Sequence, residues 1–184
     1  MAGAIGPMFL SAEAIAGRVR ELGTEITRDY EGQEVLLISV LKGAVFFLAD
    51  LARAIQVPLE IDFLSISSYT KEHHQTGTKA IRFLKDLDRP VKDKNIILVE
   101  DMIDSGLTLH YIVRSLALRK PHSLDVCTLF DRPDLRLVDI DVRYRGFEAP
   151  DDFLVGYGFD FAQSFRNLPY VAYLRADDYQ QSLF

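Results

Sequence analysis

The chain has 184 residues, 48% of them hydrophobic and 26% charged, which suits one well-buried domain over residues 1–184 and excludes a disordered chain. A net charge of −6 argues against a general nucleic-acid binder, whose affinity needs clustered Lys and Arg, but leaves room for a small anionic substrate at a local positive site. Cys127 is the only cysteine, so an internal disulfide and a cysteine-based zinc site are excluded; Met1 to Leu10 carries no signal-like pattern and no apolar run reaches membrane-spanning length, so the expectation is a cytoplasmic protein with no membrane partner.

Ser11 is a candidate helix cap with Glu13 in the first turn, and Ile15, Val19, Leu22 and Ile26 keep one helical face to about Arg28. Glu31-Gly32 breaks that pattern. Val35 to Val40 then reads as a buried strand ending at Leu41-Lys42-Gly43, and a helix follows with Phe46, Phe47, Ala49, Leu51 and Ile55 as its apolar surface. Taken alone, Lys42 is a solvated charge ahead of a helix. Pro58 to Ser68 mixes β-branched and aromatic residues and reads as a strand, with Ile81 to Leu84 as its returning partner. Between them, Ser68 to Lys79 is polar with little to bury, which reads as a mobile hairpin loop; its His73-His74 pair makes a poor metal site, because adjacent side chains in a polar loop do not converge.

The apolar run Ile96-Ile97-Leu98-Val99 has no polar alternation and predicts a strand buried on both faces, as in a parallel sheet covered by helices. It enters an acidic loop, Glu100-Asp101-Met102-Ile103-Asp104-Ser105-Gly106-Leu107-Thr108. Beyond it, Leu109, Ile112, Val113 and Leu116 fall on one helix face, and Arg119-Lys120-Pro121 supplies a stop. Strand, acidic loop and helix make a unit whose loop lies at the carboxyl end of the sheet, where open α/β sheets bind ligands. Ser105 and Thr108 offer hydroxyls, Gly106 permits the turn, and the helix amides beyond it form a phosphate cradle. The preceding carboxylates would repel phosphate unless they face ribose hydroxyls, a divalent cation or a proton to be removed. The loop therefore asks for a sugar phosphate. Neither a P-loop nor a dinucleotide fingerprint occurs in the chain.

Leu124 to Phe130 is a further strand, with Cys127 a core residue, and it runs into Asp131-Arg132-Pro133. Val142 to Phe147 continues the strand pattern, Glu148 to Asp152 is a turn, and Val171 to Leu174 reads as an edge strand ahead of a tail from Arg175. Phe153, judged alone, is a core aromatic.

Val99 to Thr108 resembles the phosphoribosyl pyrophosphate motif of type I phosphoribosyltransferases, in the form typical of the hypoxanthine-guanine class, and the resemblance runs from the first helix to about Tyr170. It implies an α/β fold with a mostly parallel sheet flanked by helices and a small hood built from terminal segments. It also assigns residues. Glu100 and Asp101 would hold ribose hydroxyls near a Mg²⁺ ion, Asp104 would act on N7 of the purine, and Asp104 to Thr108 would bind the 5-phosphate. Lys42 and Gly43 match a short pyrophosphate-binding loop, often built around a cis peptide at the position of Leu41-Lys42. Ser68-Tyr69 matches a Ser-Tyr pair on a flexible catalytic loop. Phe153 matches the aromatic that stacks on the purine, Leu154 the residue whose backbone reads the base edge, Asp160 a purine-side carboxylate able to join a metal-water network, and Arg166 an Arg that holds pyrophosphate.

One position departs from the pattern. The family normally has Lys where this chain has Arg132, and that Lys contacts the purine 6-oxygen; the forked guanidinium is not a neutral exchange. The implied reaction is transfer of the 5-phosphoribosyl group from phosphoribosyl pyrophosphate to N9 of hypoxanthine or guanine, giving IMP or GMP and pyrophosphate, in a homodimer or homotetramer. A xanthine- or adenine-preferring enzyme would keep the phosphate loops and differ at Arg132, Phe153 and Leu154. A phosphoribosyltransferase-fold RNA-binding regulator of pyrimidine synthesis would add a basic face, which the acidic balance opposes.

Overall fold

Unbroken aliphatic runs have no polar side to offer water, so a sheet made of them must be covered on both faces. In the computed structural model, which describes residues 4–70 and 79–175, that sheet has six strands in the order β4-β3-β2-β5-β6-β7. Strands β2 (Val35–Val40), β3 (Leu59–Thr70), β5 (Asn95–Ile103), β6 (Ser123–Asp131) and β7 (Tyr144–Glu148) run parallel, and β4 (Lys79–Lys85) returns antiparallel along β3. Side chains alternate between faces as the pleat requires. Leu37, Ile97, Val99 and Cys127 point into the core under α1 (Ala12–Asp29) and α2 (Val45–Ala54), while Leu36, Ile38, Ile96, Leu98 and Val126 point into the core under α3 (Leu107–Ala117).

The helices follow their sequence signals. Ser11 caps α1 by accepting from the Ala14 amide at 3.2 Å, and Ile15, Val19, Leu22 and Ile26 are its buried stripe. The face expected of α2 is corrected at one position: Phe47, Leu48 and Leu51 are buried, whereas Phe46 is exposed beside the hood. That hood is a second, antiparallel sheet in the order β1-β9-β8, made of β1 (Ile5–Leu10), β9 (Val171–Leu174) and β8 (Leu154–Val155). The edge strand expected over Val171 to Leu174 is thus overturned. Its partners come from distant parts of the chain, β1 on one side and β8 on the other, and no local pattern signals such pairing.

A second correction bears on the site. Strand β5 does not stop at Val99 but stays paired with β6 through Glu100↔Thr128, Met102↔Phe130 and Ile103↔Asp131. Glu100 and Asp101 are strand residues, not loop residues.

Candidate active site

Because Glu100 and Asp101 are consecutive on a strand, the pleat sends their side chains to different surroundings. Glu100 lines a cleft of about 220 Å³ with Met102, Asp104, Ser105, Gly106 and Thr108. Asp101 faces the loop after β2. Its Oδ1 accepts from the Met102 amide at 2.8 Å, and a Cβ built on Gly43 would stand 1.8 Å from its Oδ2. Only glycine leaves room there for the carboxylate. Both acids keep partial surface exposure, yet dense protein around them penalises their charge. Burial pushes Asp101 up to about 6, with the Asp104 charge adding to it and the Met102 amide and Arg166 acting against it. Burial, then the neighbouring Asp101, holds Glu100 well above the ordinary carboxylate range.

The turn after β5 presents the start of α3. Gly106 occupies the left-handed region at φ 77° and offers no side-chain cap; the first helical amide, that of Leu107, makes only a long bond to Ser105 Oγ at 3.5 Å, so the start of the helix is weakly held by the protein itself. The turn is supported from behind. The Leu137 amide donates to the Ser105 carbonyl at 3.0 Å, and a Cβ on Gly106 would meet Ile140 Cδ1 at 2.8 Å.

Across the sheet edge lies the loop Leu41-Lys42-Gly43, whose Leu41–Lys42 peptide is cis. It meets the hood segment after β8 closely enough that a Cβ on Gly158 would stand 2.1 Å from the Gly43 carbonyl oxygen. Within that segment Arg166 is gripped twice, donating from Nη1 to the Gly158 carbonyl at 2.7 Å and pairing through Nη2 with Asp160 Oδ1 at 2.6 Å. The Gln163 amide donates to Asp160 Oδ2 at 2.8 Å, and its side-chain oxygen accepts from Lys42 Nζ at 3.4 Å. Tyr157, Ala162, Gln163 and Phe165 all adopt positive φ, an unusual density for residues other than glycine and one found where a backbone is shaped for function.

The end of β6 closes the other side. Arg132 Nη1 pairs with Asp104 Oδ1 at 3.2 Å, and Nη2 donates to the Asp152 carbonyl at 2.6 Å. Phe153 is 42% exposed and meets Phe161 edge-on at 6.0 Å, which overturns the core reading of that ring. Leu154, by contrast, buries its side chain and offers only backbone from β8.

This arrangement has close relatives. Residues 8–162 match the phosphoribosyl transferase domain. The hypoxanthine-guanine phosphoribosyltransferase of Mycobacterium avium is 46% identical over 97% of this chain and 90% of its own length, and that of Bacillus subtilis is 44% identical over 96% and 97%. The chain belongs to the hypoxanthine-guanine phosphoribosyltransferase family. The crystal structure of the family member from Bacillus anthracis superposes with a TM-score of 0.87 at 46% identity, covering 93% of this chain and 99% of that one. The mostly parallel sheet with its flanking helices and hood is accordingly the fold of this family of transferases.

In these family terms, the structure gathers Lys42, Gly43, Asp101, Asp160 and Arg166 on one side, and Asp104, Arg132, Leu154 and Phe153 on the other, with the open start of α3 at the end of the cleft that Glu100 lines. Ser68 and Tyr69 lie on the backbone of β3. Their side chains, and the expected mobile loop with His73-His74, fall outside the described residues. Sequence reasoning missed Gly158 and Gln163. The glycine was visible in the Gly-Tyr-Gly run of residues 156–158, whereas nothing in the sequence marked Gln163. Among the described residues no group of three or more His, Cys, Asp or Glu side chains is set to hold a metal ion, and no helix is long and apolar enough to cross a membrane. Glu100 and Asp101 nonetheless fit a hard divalent cation, since each is an oxygen donor whose charge burial leaves under-compensated.

Proposed function

We propose that the protein transfers the 5-phosphoribosyl group from phosphoribosyl pyrophosphate to N9 of hypoxanthine or guanine, forming IMP or GMP and releasing pyrophosphate in purine salvage. The observation that carries this reading is the 3.2 Å contact of Asp104 with Arg132 at the mouth of an uncapped helix. A proton acceptor for the purine and a cradle for the 5-phosphate share one turn, so base and sugar phosphate meet within a few residues. The family relatives in M. avium and B. subtilis, named for hypoxanthine and guanine, support the base assignment.

The chemistry follows from the residues. Leaving-group departure is the hard part, and an oxocarbenium-like transition state puts the burden on placement and charge. Lys42, the amide of Gly43 and Arg166 hold the pyrophosphate as negative charge develops on it. Glu100 and Asp101 hold the ribose hydroxyls. Asp104 takes or shares the N7 proton as N9 becomes nucleophilic, Asp104 to Thr108 bind the 5-phosphate through amides and hydroxyls, and Ser68-Tyr69 belong to the loop over the reacting centre. Phe153 stacks on the purine, and the Leu154 backbone reads its edge. Glu100, Asp101 and Asp160 would hold a Mg²⁺ ion, which would supply further neutralisation of charge on the pyrophosphate. The chain acts as one domain in the cytoplasm, in a homodimer or homotetramer.

Nucleotide formation from phosphoribosyl pyrophosphate and Mg²⁺, measured in parallel with hypoxanthine, guanine, xanthine and adenine, tests the reading. Hypoxanthine or guanine is expected to turn over, and Asp104→Asn to lower kcat by about a hundredfold or more. Turnover of xanthine or adenine alone would keep the reaction and overturn the base assignment. Absence of all turnover, with tight binding of structured RNA, would replace the enzyme by a regulator.

A further inference from the structure

Arg132 does more than stand in for a lysine beside the purine. Its guanidinium uses two separate corners: Nη1 holds Asp104 at the end of β5, and Nη2 holds the carbonyl of Asp152, the residue directly before Phe153. The Arg132 side chain itself is only 14% exposed, while both bonds are made at the exposed edge of the site, where Asp104 keeps 54% of its side-chain surface, so it is the geometry of the two bonds that matters. The turn of residues 149–153 is also tied to β6 by the Ala149 amide on the Asp131 carbonyl at 2.9 Å. On its far side the Phe153 carbonyl accepts from the Leu174 amide at 2.8 Å. Phe153 therefore lies between the hood and the end of β6, and Arg132 supplies the side-chain tie on the β6 side at the residue next to it.

We infer that Arg132 is a positioning residue that sets the height of the Phe153 ring over the purine site by tying the Asp152 carbonyl to Asp104, a span that the rigid fork of an arginine makes and the single ammonium of a lysine does not. The inference rests on the purine reading of the site. Because the tie ends on a main-chain oxygen, it depends on Arg132 and not on the side chain at residue 152.

A double-mutant cycle tests it, with Arg132→Lys, Phe153→Ala and the double variant compared in hypoxanthine turnover. Arg132→Lys keeps a cation for the 6-oxygen but loses the second bond, and is expected to raise KM for the purine about tenfold while KM for phosphoribosyl pyrophosphate stays within about twofold. If Arg132 works through Phe153, the double variant is no worse than Phe153→Ala alone. Multiplying effects, or an equal rise in both KM values, would overturn the inference. Backbone hydrogen exchange over residues 149–155 needs no purine and separates this claim from the assigned reaction. About tenfold faster exchange there in Arg132→Lys, with β5 and β6 unchanged, is expected. Unchanged exchange would sink the tie even in an active enzyme, and faster exchange would sustain it even in an inactive one.

Discussion

Asp62 at the start of β3 and Asp101 at the end of β5 are both surrounded by protein, and they meet opposite treatment. Asp62 is 6% exposed and fully answered: its carboxylate accepts from the amides of Phe63 at 2.7 Å and Asp88 at 2.8 Å, with Lys85 Nζ at 3.4 Å. Burial alone would raise it, but those donors outweigh burial and hold it below its usual value. Asp131, fully buried at the end of β6, forms ion pairs with Arg136 and Arg145. Asp101 has the backbone amides of Met102 and of its own residue and the charge of Arg166 against burial and the charge of Asp104, but no side-chain donor among the described residues, and it rises to about 6, with Glu100 beside it raised as well. A buried acid that the fold satisfies belongs to the architecture; a buried acid left short of partners is held ready for a ligand.

That contrast can be broken from the functional side first. Asp101→Asn is expected to lower kcat/KM by about a hundredfold while raising stability. Its folded value lies above the unfolded one of 3.8, so the stability it contributes at low pH is lost as the pH rises from about 4 to about 6, the ionised group opposes folding at pH 7, and in magnesium-free buffer at that pH the variant should gain about 1 to 2 kcal/mol in denaturant unfolding. A loss of stability would remove the distinction between the two kinds of acid.

Gly158→Ala comes next. It places a side chain on a residue at φ 103° and against the Gly43 carbonyl, so the hood segment and the Leu41-Lys42-Gly43 loop must part, at about 2 kcal/mol or more in thermal unfolding and, if that loop holds pyrophosphate as proposed, with weakened phosphoribosyl pyrophosphate binding. Asp62→Asn sharpens the architectural side, costing about 2 kcal/mol at pH 7 with kcat unchanged, because a buried acceptor is exchanged for an amide that cannot answer every donor. The sign with pH is opposite to that of Asp101. A carboxyl held below its unfolded value of 3.8 stabilises above that value, so the difference between wild type and variant should stay level down to about pH 5 and close below about pH 4. Smallest is Gln163→Ala, which frees Lys42 from the hood and should raise KM for phosphoribosyl pyrophosphate about threefold, as expected for one exposed hydrogen bond.

Legibility in the sequence divides along the same line. The helix stripe from Ile15 to Ile26, the buried runs of β2, β5 and β6, and the acidic turn before α3 were readable because each rests on local periodicity or on adjacent residues with a shared chemistry. The grip on Arg166, the fit of Asp101 over Gly43 and the tie from Arg132 to Asp152 were not, since they join residues 8, 58 and 20 positions apart, respectively, through geometry that no spacing rule encodes. Phe46 and Phe153 show the limit from the apolar side: Phe46 read as part of the apolar face of α2 and Phe153, judged alone, as core, yet both rings are exposed.

By itself, then, the sequence determined the layered α/β fold, the glycine turn that opens α3 and the identity of the acids beside it, because hydrophobic period, turn chemistry and charge are properties of neighbouring residues. Only the tertiary structure decided that Glu100 and Asp101 ride on a strand, that β9 is the centre of the hood and that Arg132 reaches two elements at once. Each of those depends on which distant segments meet, and burial and hydrogen bonding are settled only when they do.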